Sequence, residues 1–289
     1  KKLLVANRGE IAVRVMQTAA EQGWATVAVH ADDDAESLHV IRADEAVALG
    51  AKGVAPYLDI PRIVDAARQA GASAVHPGYG FLAENADFAR ACAEAGLTFI
   101  GPDAEVLALF GDKGRARSLA IEHGVPVIEG TEGPTGLDEA QRFLDGLGAD
   151  GAVMVKAVAG GGGRGMRVVR AGEDLASAHE RCRSEAKPAF GNPDVYVERL
   201  MRPARHVEVQ VLGDGQGGVT HYRERECSIQ RRNQKIVEVA PAPGLDGDVR
   251  EGLIEAALKL ARAVNYRGLG TFEFLVDARP DAPAPGYAF

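Results

Sequence analysis

Cysteine is scarce: Cys92, Cys182 and Cys227 are the three in 289 residues, far apart and without a C-x-x-C spacing. That set excludes a disulfide framework and a cysteine-built zinc site, and predicts reduced thiols in a cytoplasmic chain. No apolar run approaches the ~20 residues that span a bilayer. Lys1-Lys2-Leu3-Leu4-Val5-Ala6 is too short for a signal peptide, so no membrane association is expected. Basic residues are outnumbered, with Lys+Arg 33 against Asp+Glu 41 and a net charge of −8. General nucleic-acid binding, which needs a basic face for phosphates, is excluded on that ground. Gly-Lys does not occur, which removes a Walker loop. H-R-D and D-F-G are also missing, which removes a protein-kinase site. The chain has no initiator Met and stops on Phe289 inside an apolar run, so it reads as a piece of something longer.

What is abundant is glycine, 35 residues, most concentrated in Val153–Arg170, VMVKAVAGGGGRGMRVVR. Glycines 160, 162 and 165 satisfy G-x-G-x-x-G, but a dinucleotide fingerprint requires a helix next. Met166–Arg170 is instead short and β-branched, the pattern of a strand. Strand, glycine hairpin, strand remains, with Lys156 just before the glycines. Such a hairpin is either a flexible cover whose bare amides close over phosphate oxygens or an ordinary turn. The rest of the chain favours the cover.

Leu3–Asn7 reads as a buried strand and is followed by a helix with Ile11, Val15, Ala19 and Gln22 inside, ending at Gly23. Ala25–His30 completes a βαβ unit. Helices over 60–70 and 84–95 then alternate with strands at 74–76 and 98–100. Residues 1–112 are therefore predicted to form an open, parallel, Rossmann-like α/β domain. His76–Asn85, HPGYGFLAEN, leaves a strand's carboxyl end, where such sheets bind ligands. Its carboxamide, carboxylate and phenol favour a functional role over a plain Pro-Gly turn. Residues 113–200 combine helices at 115–123, 138–147 and 174–186 with the hairpin and a strand at 195–200, the make-up of a mobile lid.

Residues 201–289 are antiparallel in character. His206–Val211 alternates with period two, valines on one face and His206, Glu208 and Gln210 on the other. Gln230–Lys235 with Arg223 and Arg225 forms a concentrated positive stretch that Glu224 and Glu226 only partly neutralise, which suits a small anion. Asp248 with Glu251 reads as a capping box ahead of a helix over 253–266, with Gly268 as its C-cap. Glu273 in the middle of strand 271–276 is costly unless it is paired or holds a metal, and a metal is favoured.

ANRGEIA, HPGYGFLAEN, the Lys156–Met166 hairpin, RHVEVQV, ECSIQRRNQK and GTFEFL, in this order, resemble the biotin carboxylase family of the ATP-grasp superfamily over essentially the whole chain. The resemblance implies an ATP-grasp fold after the first domain, namely the lid and an incomplete central domain. It implies carboxylation of biotin on a carrier domain, dependent on ATP and magnesium (or manganese), with bicarbonate activated as carboxyphosphate. On the family pattern, Lys113 and Lys156 hold ATP phosphates under the loop bearing Gly162 and Gly163. Glu198, Arg199, Leu200 and Met201 form the adenine hinge, and His206 meets the ribose. Gln230 and Asn233, the latter where many members carry His, face the nucleotide. Glu273 contacts ATP and the first metal, and Lys235 is the catalytic lysine that binds bicarbonate. Implied partners are the biotin carrier and a carboxyltransferase domain or subunit, within a homo-oligomer or larger complex. An acyl-CoA acceptor is favoured over pyruvate or urea. The family's second metal carboxylate and catalytic arginine would follow Phe289, so residues 1–289 alone are expected to be inactive. Two rivals stand beside this reading: another ATP-grasp ligase of the carbamoyl-phosphate or purine-pathway kind, and a non-catalytic nucleotide-binding or assembly module.

Overall fold

The computed structural model describes residues 1–159, 165–201, 203–231, 234–279 and 286–289. The chain divides into two units, Lys1–Ala108 and Leu109–Phe289.

The first unit runs β1 (Lys2–Val5), α1 (Gly9–Glu21), β2 (Ala25–His30), α2 (Leu38–Arg42), β3 (Glu45–Ala48), α3 (Ile60–Gln69), β4 (Ala74–His76), α4 (Ala86–Glu94) and β5 (Thr98–Phe99). Its strands form one parallel sheet in the order β3-β2-β1-β4-β5. Both sheet faces are covered, as parallel sheets require. Leu4, Val27, Val29 and Val75 bury against Ile63, Phe88 and Cys92, while Leu3, Val5 and Ala28 bury against α1. The buried stripe of α1 is Ala12, Met16 and Ala19, with Val15 partly buried beside it, while Gln22 lies outside it. This stripe and the expected one both have helical spacing, so periodicity alone cannot choose between neighbours.

Strand order reverses between β1 and β4, and the two sequence motifs at their carboxyl ends interlock. Asn7 Nδ2 donates to the carbonyls of Pro77 and Tyr79, both at 2.8 Å. Gly78 has φ +68°, and a Cβ there would lie 2.7 Å from Asn7 Nδ2. Tyr79 donates its hydroxyl to Glu10, and Asn85 caps α4 by accepting from Phe88 N at 2.9 Å. The phenol and carboxamide that favoured a functional reading of HPGYGFLAEN thus have partners that build the fold.

The chain crosses from one unit to the other within α5 (Ala104–Gly111). The second unit continues with α6 (Lys113–Glu122), α7 (Leu137–Gly146), β6 (Ala152–Ala157), β7 (Met166–Arg170), α8 (Leu175–Phe190) and β8 (Val195–Arg199). These strands make an antiparallel sheet, β7-β6-β8. Val153, Val155, Val169, Val195 and Val197 bury against Ala140, Leu144, Leu175 and Cys182 of α7 and α8. By alternation Lys156, Tyr196 and Glu198 lie on the opposite face.

A second antiparallel sheet follows, formed by β9 (Ala204–Asp214), β10 (Val219–Arg231), β11 (Gln234–Val239), β12 (Arg267–Asp277) and β13 (Tyr287–Ala288), in the order β11-β10-β9-β12-β13. Between β11 and β12 comes α9 (Gly247–Ala263), which packs across β9 and β10. Val207, Val209 and Val211 are fully buried, as the alternation of HVEVQV predicts. Phe272 and Phe274 join them, edge-on to Phe110 at 5.2 Å and Phe289 at 5.7 Å. The cap of α9 is Asp246, whose carboxylate accepts from Asp248 N at 2.9 Å and Val249 N at 3.2 Å. The helix therefore starts six residues before the expected Leu253, and Asp248 and Glu251 lie inside it. Two aspartates two residues apart offer the same capping chemistry, and the sequence pattern selects the wrong one. The first left-handed residue beyond the helix is Asn265 (φ +46°), and Gly268, also at positive φ (+83°), already belongs to β12.

Candidate functional site

On the polar face of the larger sheet, Arg225, Glu208 and Glu273 stand abreast on β10, β9 and β12. Glu208 is 2% exposed, a burial that a carboxylate sustains only with partners. Arg225 supplies them: its Nε donates to Glu208 Oε1 at 2.9 Å and its Nη2 closes on the same oxygen. The other oxygen, Oε2, receives the ammonium of Lys235, which also donates to Glu273 Oε1 at 2.5 Å. Lys235 starts on β11, opposite Gln230, and the β10–β11 register shifts twice between Glu226 and Gln230. Burial pulls the Lys235 pKa down, but hydrogen bonds to Glu208 and Glu273 outweigh it and hold the ammonium well above its usual range. Glu273 is held down at about 2, first by His206 and, against desolvation, by Lys235. His206 Nε2 lies 3.6 Å from Glu273 Oε1, and its Nδ1 meets Gln230 Nε2 at 2.8 Å. With the Gln230 amide donating, the imidazole proton falls on Nε2, toward Glu273.

The smaller sheet contributes a second cluster. Lys156 on β6 pairs in close contact with Glu198 on β8, whose Oε2 also accepts from Tyr196 Oη at 3.3 Å. Lys113 opens α6, next to Asp112, which caps that helix by accepting from Arg115 N at 3.0 Å. Burial and then the charge of Lys156 lower the Lys113 pKa, while Glu198 and Glu273 pull it back up. Lys113, Lys156, Glu198 and Glu273 therefore share one electrostatic neighbourhood. Glu198 turns toward Lys156, whereas the Arg199 side chain points away from it. Arg199 N donates to Glu129 O at 2.8 Å, and its exposed guanidinium is 3.7 Å from the Glu129 carboxylate. Leu200 N donates to Ala152 O at 2.8 Å, and Met201 follows half-buried. The expectations for Gly162, Gly163 and Asn233 fall outside the described residues.

The positive stretch around 223–235 is more balanced than its sequence suggests. Glu224 pairs with Arg250 at 2.8 Å and Glu226 with Arg205 at 2.6 Å, on one face of β10. Arg225 projects to the other face, into Glu208. Sequence reasoning placed Glu208 only on the polar face and Arg225 only in the positive stretch, and it missed that the two pair beside Lys235. The alternation of RHVEVQV assigns Glu208 to the polar face, but only the strand register shows two cations meeting there. Ligand atoms of His206, Glu208 and Glu273 lie within 4.8 Å of one another, close enough to share a cation. The two carboxylates offer hard oxygens of the kind magnesium prefers.

Residues 1–107 match the family described as biotin carboxylase, N-terminal domain, and residues 112–282 match the ATP-binding domain of the carbamoyl-phosphate synthase L chain. The chain is 50% identical over 279 residues to pyruvate carboxylase from Staphylococcus aureus, covering 96% of this chain and 24% of that protein. It also resembles biotin carboxylase from Campylobacter jejuni, solved as a β,γ-ATP complex (TM-score 0.94, 44% identity, 100% of this chain and 64% of that one). The biotin carboxylase domain of 2-oxoglutarate carboxylase from Hydrogenobacter thermophilus, solved as a dimer with MgADP, ADP and bicarbonate, superposes with a TM-score of 0.91 (46% identity, 96% of this chain and 61% of that one). The chain thus spans about a quarter of the curated relative and under two thirds of either solved chain.

Proposed function

Because the chain belongs to the biotin carboxylase family, with that family's N-terminal and ATP-binding domains, we propose that it activates bicarbonate with ATP for transfer to biotin on a carrier domain. A bicarbonate oxygen takes the γ-phosphoryl group and ADP leaves. The carboxyphosphate formed breaks into carbon dioxide and phosphate, and a ureido nitrogen of biotin bonds to the carbon dioxide and gives up its proton. The observation that carries this reading is the pairing of two lysine–carboxylate clusters in one unit, one suited to phosphates and one to a small anion.

In this reading residues 1–112 form the N-terminal domain, 113–200 a lid and 201–289 the first part of the core. Lys113 and Lys156 hold the nucleotide phosphates as point charges, with Gly162 and Gly163 in the covering loop. Glu198–Met201 form the adenine hinge, with His206, Gln230 and Asn233 beside the nucleotide. Glu273 is the metal ligand contributed by this chain, with Glu208 next to it. Magnesium bound there would draw off charge from the phosphate oxygens. Lys235 holds bicarbonate and steadies the charge that develops during phosphoryl transfer. The acyl-CoA acceptor expected from the sequence finds no support in the relatives named above. We infer instead a 2-oxo acid acceptor, as the names of the S. aureus and H. thermophilus enzymes suggest, handled by a carboxyltransferase partner. Phosphate release from ATP that depends on bicarbonate and rises with biotin, in the full-length protein carrying this chain, tests the reading. Release that requires ammonia and yields carbamoyl phosphate would replace it.

Lys156→Gln is expected to weaken ATP binding by ~1–3 kcal/mol, the loss of one charged hydrogen bond, with bicarbonate dependence little changed. Titration calorimetry measures it. Unchanged ATP affinity would mean that Lys156 serves only to neutralise Glu198.

A further inference from the structure

Arg225 has no direct role in the reading above; what it touches is Glu208, Gln210 and Glu238. We propose that Arg225 is a positioning residue for Lys235, holding one oxygen of Glu208 so that the other presents to the lysine ammonium. The proposal rests on Lys235 as the bicarbonate group.

Two nitrogens of the guanidinium, Nε and Nη2, converge on Glu208 Oε1, the first at 2.9 Å. A carboxylate held in this way cannot turn without giving up both contacts, so Oε2 stays pointed at Lys235. Arg225 is itself fixed: its Nη1 donates to Gln210 Oε1 at 2.9 Å, and Gln210 Nε2 donates to the Gly270 carbonyl on β12 at 2.7 Å. Glu238 flanks the guanidinium at 3.4 Å. A line of directed contacts thus runs from the β12 backbone through Gln210, Arg225 and Glu208 to Lys235. The lysine needs such an anchor, since it reaches two strands across on a flexible stem that loses rotamer freedom when it is held. Glu208 also requires both cations. With Arg225 removed, Lys235 becomes its nearest counter-charge and is drawn toward Glu208 and away from Glu273.

Lysine at 225 would supply charge but not the planar fork, which distinguishes positioning from simple neutralisation. In the full-length protein, Arg225→Met and Arg225→Lys are both expected to lower kcat/KM for bicarbonate roughly tenfold or more, because displacement of a reactive group by about 1 Å costs orders of magnitude in rate. ATP affinity, read by calorimetry, is expected to stay within about threefold of wild type. Arg205→Met deletes an Arg–Glu pair on the opposite face of the same sheet and should leave bicarbonate dependence in place. Wild-type behaviour of Arg225→Lys would overturn the proposal, as would an equal effect of Arg205→Met. Crystal structures of wild type and Arg225→Lys give a second readout, with Glu208 rotated and the Lys235 ammonium displaced in the variant. An unmoved Lys235 refutes the positioning role. If wild type shows no bicarbonate-dependent phosphate release, the functional reading fails, and the crystal structures alone decide whether Arg225 places Lys235.

Discussion

Lys235→Gln should cost the enzyme two to three orders of magnitude in bicarbonate-dependent turnover, the usual consequence of deleting a group that stabilises developing charge, while ATP still binds. The expectation follows from what each lysine contacts. Lys113 and Lys156 belong to α6 and β6, whereas Lys235 belongs to β11 and spends its hydrogen bonds on Glu208 and Glu273. Glutamine can bridge the same two carboxylates as a neutral donor, so the variant keeps much of the local hydrogen bonding and loses the charge. Without that charge, Glu208 and Glu273 repel each other, and the carboxylate face is a poor host for a bicarbonate anion. Steady-state phosphate release across a bicarbonate series, with calorimetry for ATP, measures both quantities. A variant that loses ATP affinity and keeps its bicarbonate response would move Lys235 into the nucleotide site.

Arg250→Met is expected to destabilise the second unit by ~3–5 kcal/mol, because it strands a buried charge. Glu224 is 0% exposed. Its Oε1 accepts from Arg250 Nε at 2.8 Å and from Ala242 N at 3.2 Å, and its Oε2 has no hydrogen-bond partner among the described residues. Arg250 also ties down the Ala242 carbonyl at 3.1 Å. In a domain of this size such a loss lowers the melting temperature on the order of 10 °C. Adding Glu224→Gln should return much of it, since the amide oxygen still accepts from Ala242 N and no charge remains to be matched. Denaturant unfolding of both variants decides the matter, and a loss below ~1 kcal/mol for Arg250→Met would show that solvent already screens the pair.

Apolar runs alternating with helices made β1, β2, β4 and β5 legible, and with them a parallel first sheet; period-two alternation made the polar face carrying His206, Glu208 and Gln210 legible, while the edge strands β3 and β11 were not read. Lys113, Lys156 and Glu273 could be picked out because their residue types suit phosphate and metal. Their clustering was not visible, since it depends on register: Glu273 opposite Glu208, and Glu208 opposite Arg225, join positions far apart in sequence. Charge runs misled for the same reason. From Glu224 to Glu226 consecutive side chains leave on opposite faces of β10, so the glutamates neutralise Arg250 and Arg205 rather than their sequence neighbours. Helix ends were the least legible, as the choice between Asp246 and Asp248 shows.

The first strand of the parallel sheet is also its central one. β1 pairs with β2 after one helix, but its other edge waits for β4, with Leu3 opposite Ala74 and Val5 opposite His76. During synthesis β1 therefore has an open edge until some seventy further residues have emerged, and β5 comes later still. Closing so long a loop is slow compared with hairpin formation, and an apolar strand with an unpaired edge is a template for wrong pairing. The Asn7 side chain, which clasps the Pro77 and Tyr79 carbonyls only after β4 arrives, acts as a late latch on that edge. The yield of this unit should therefore respond to synthesis rate and chaperone supply.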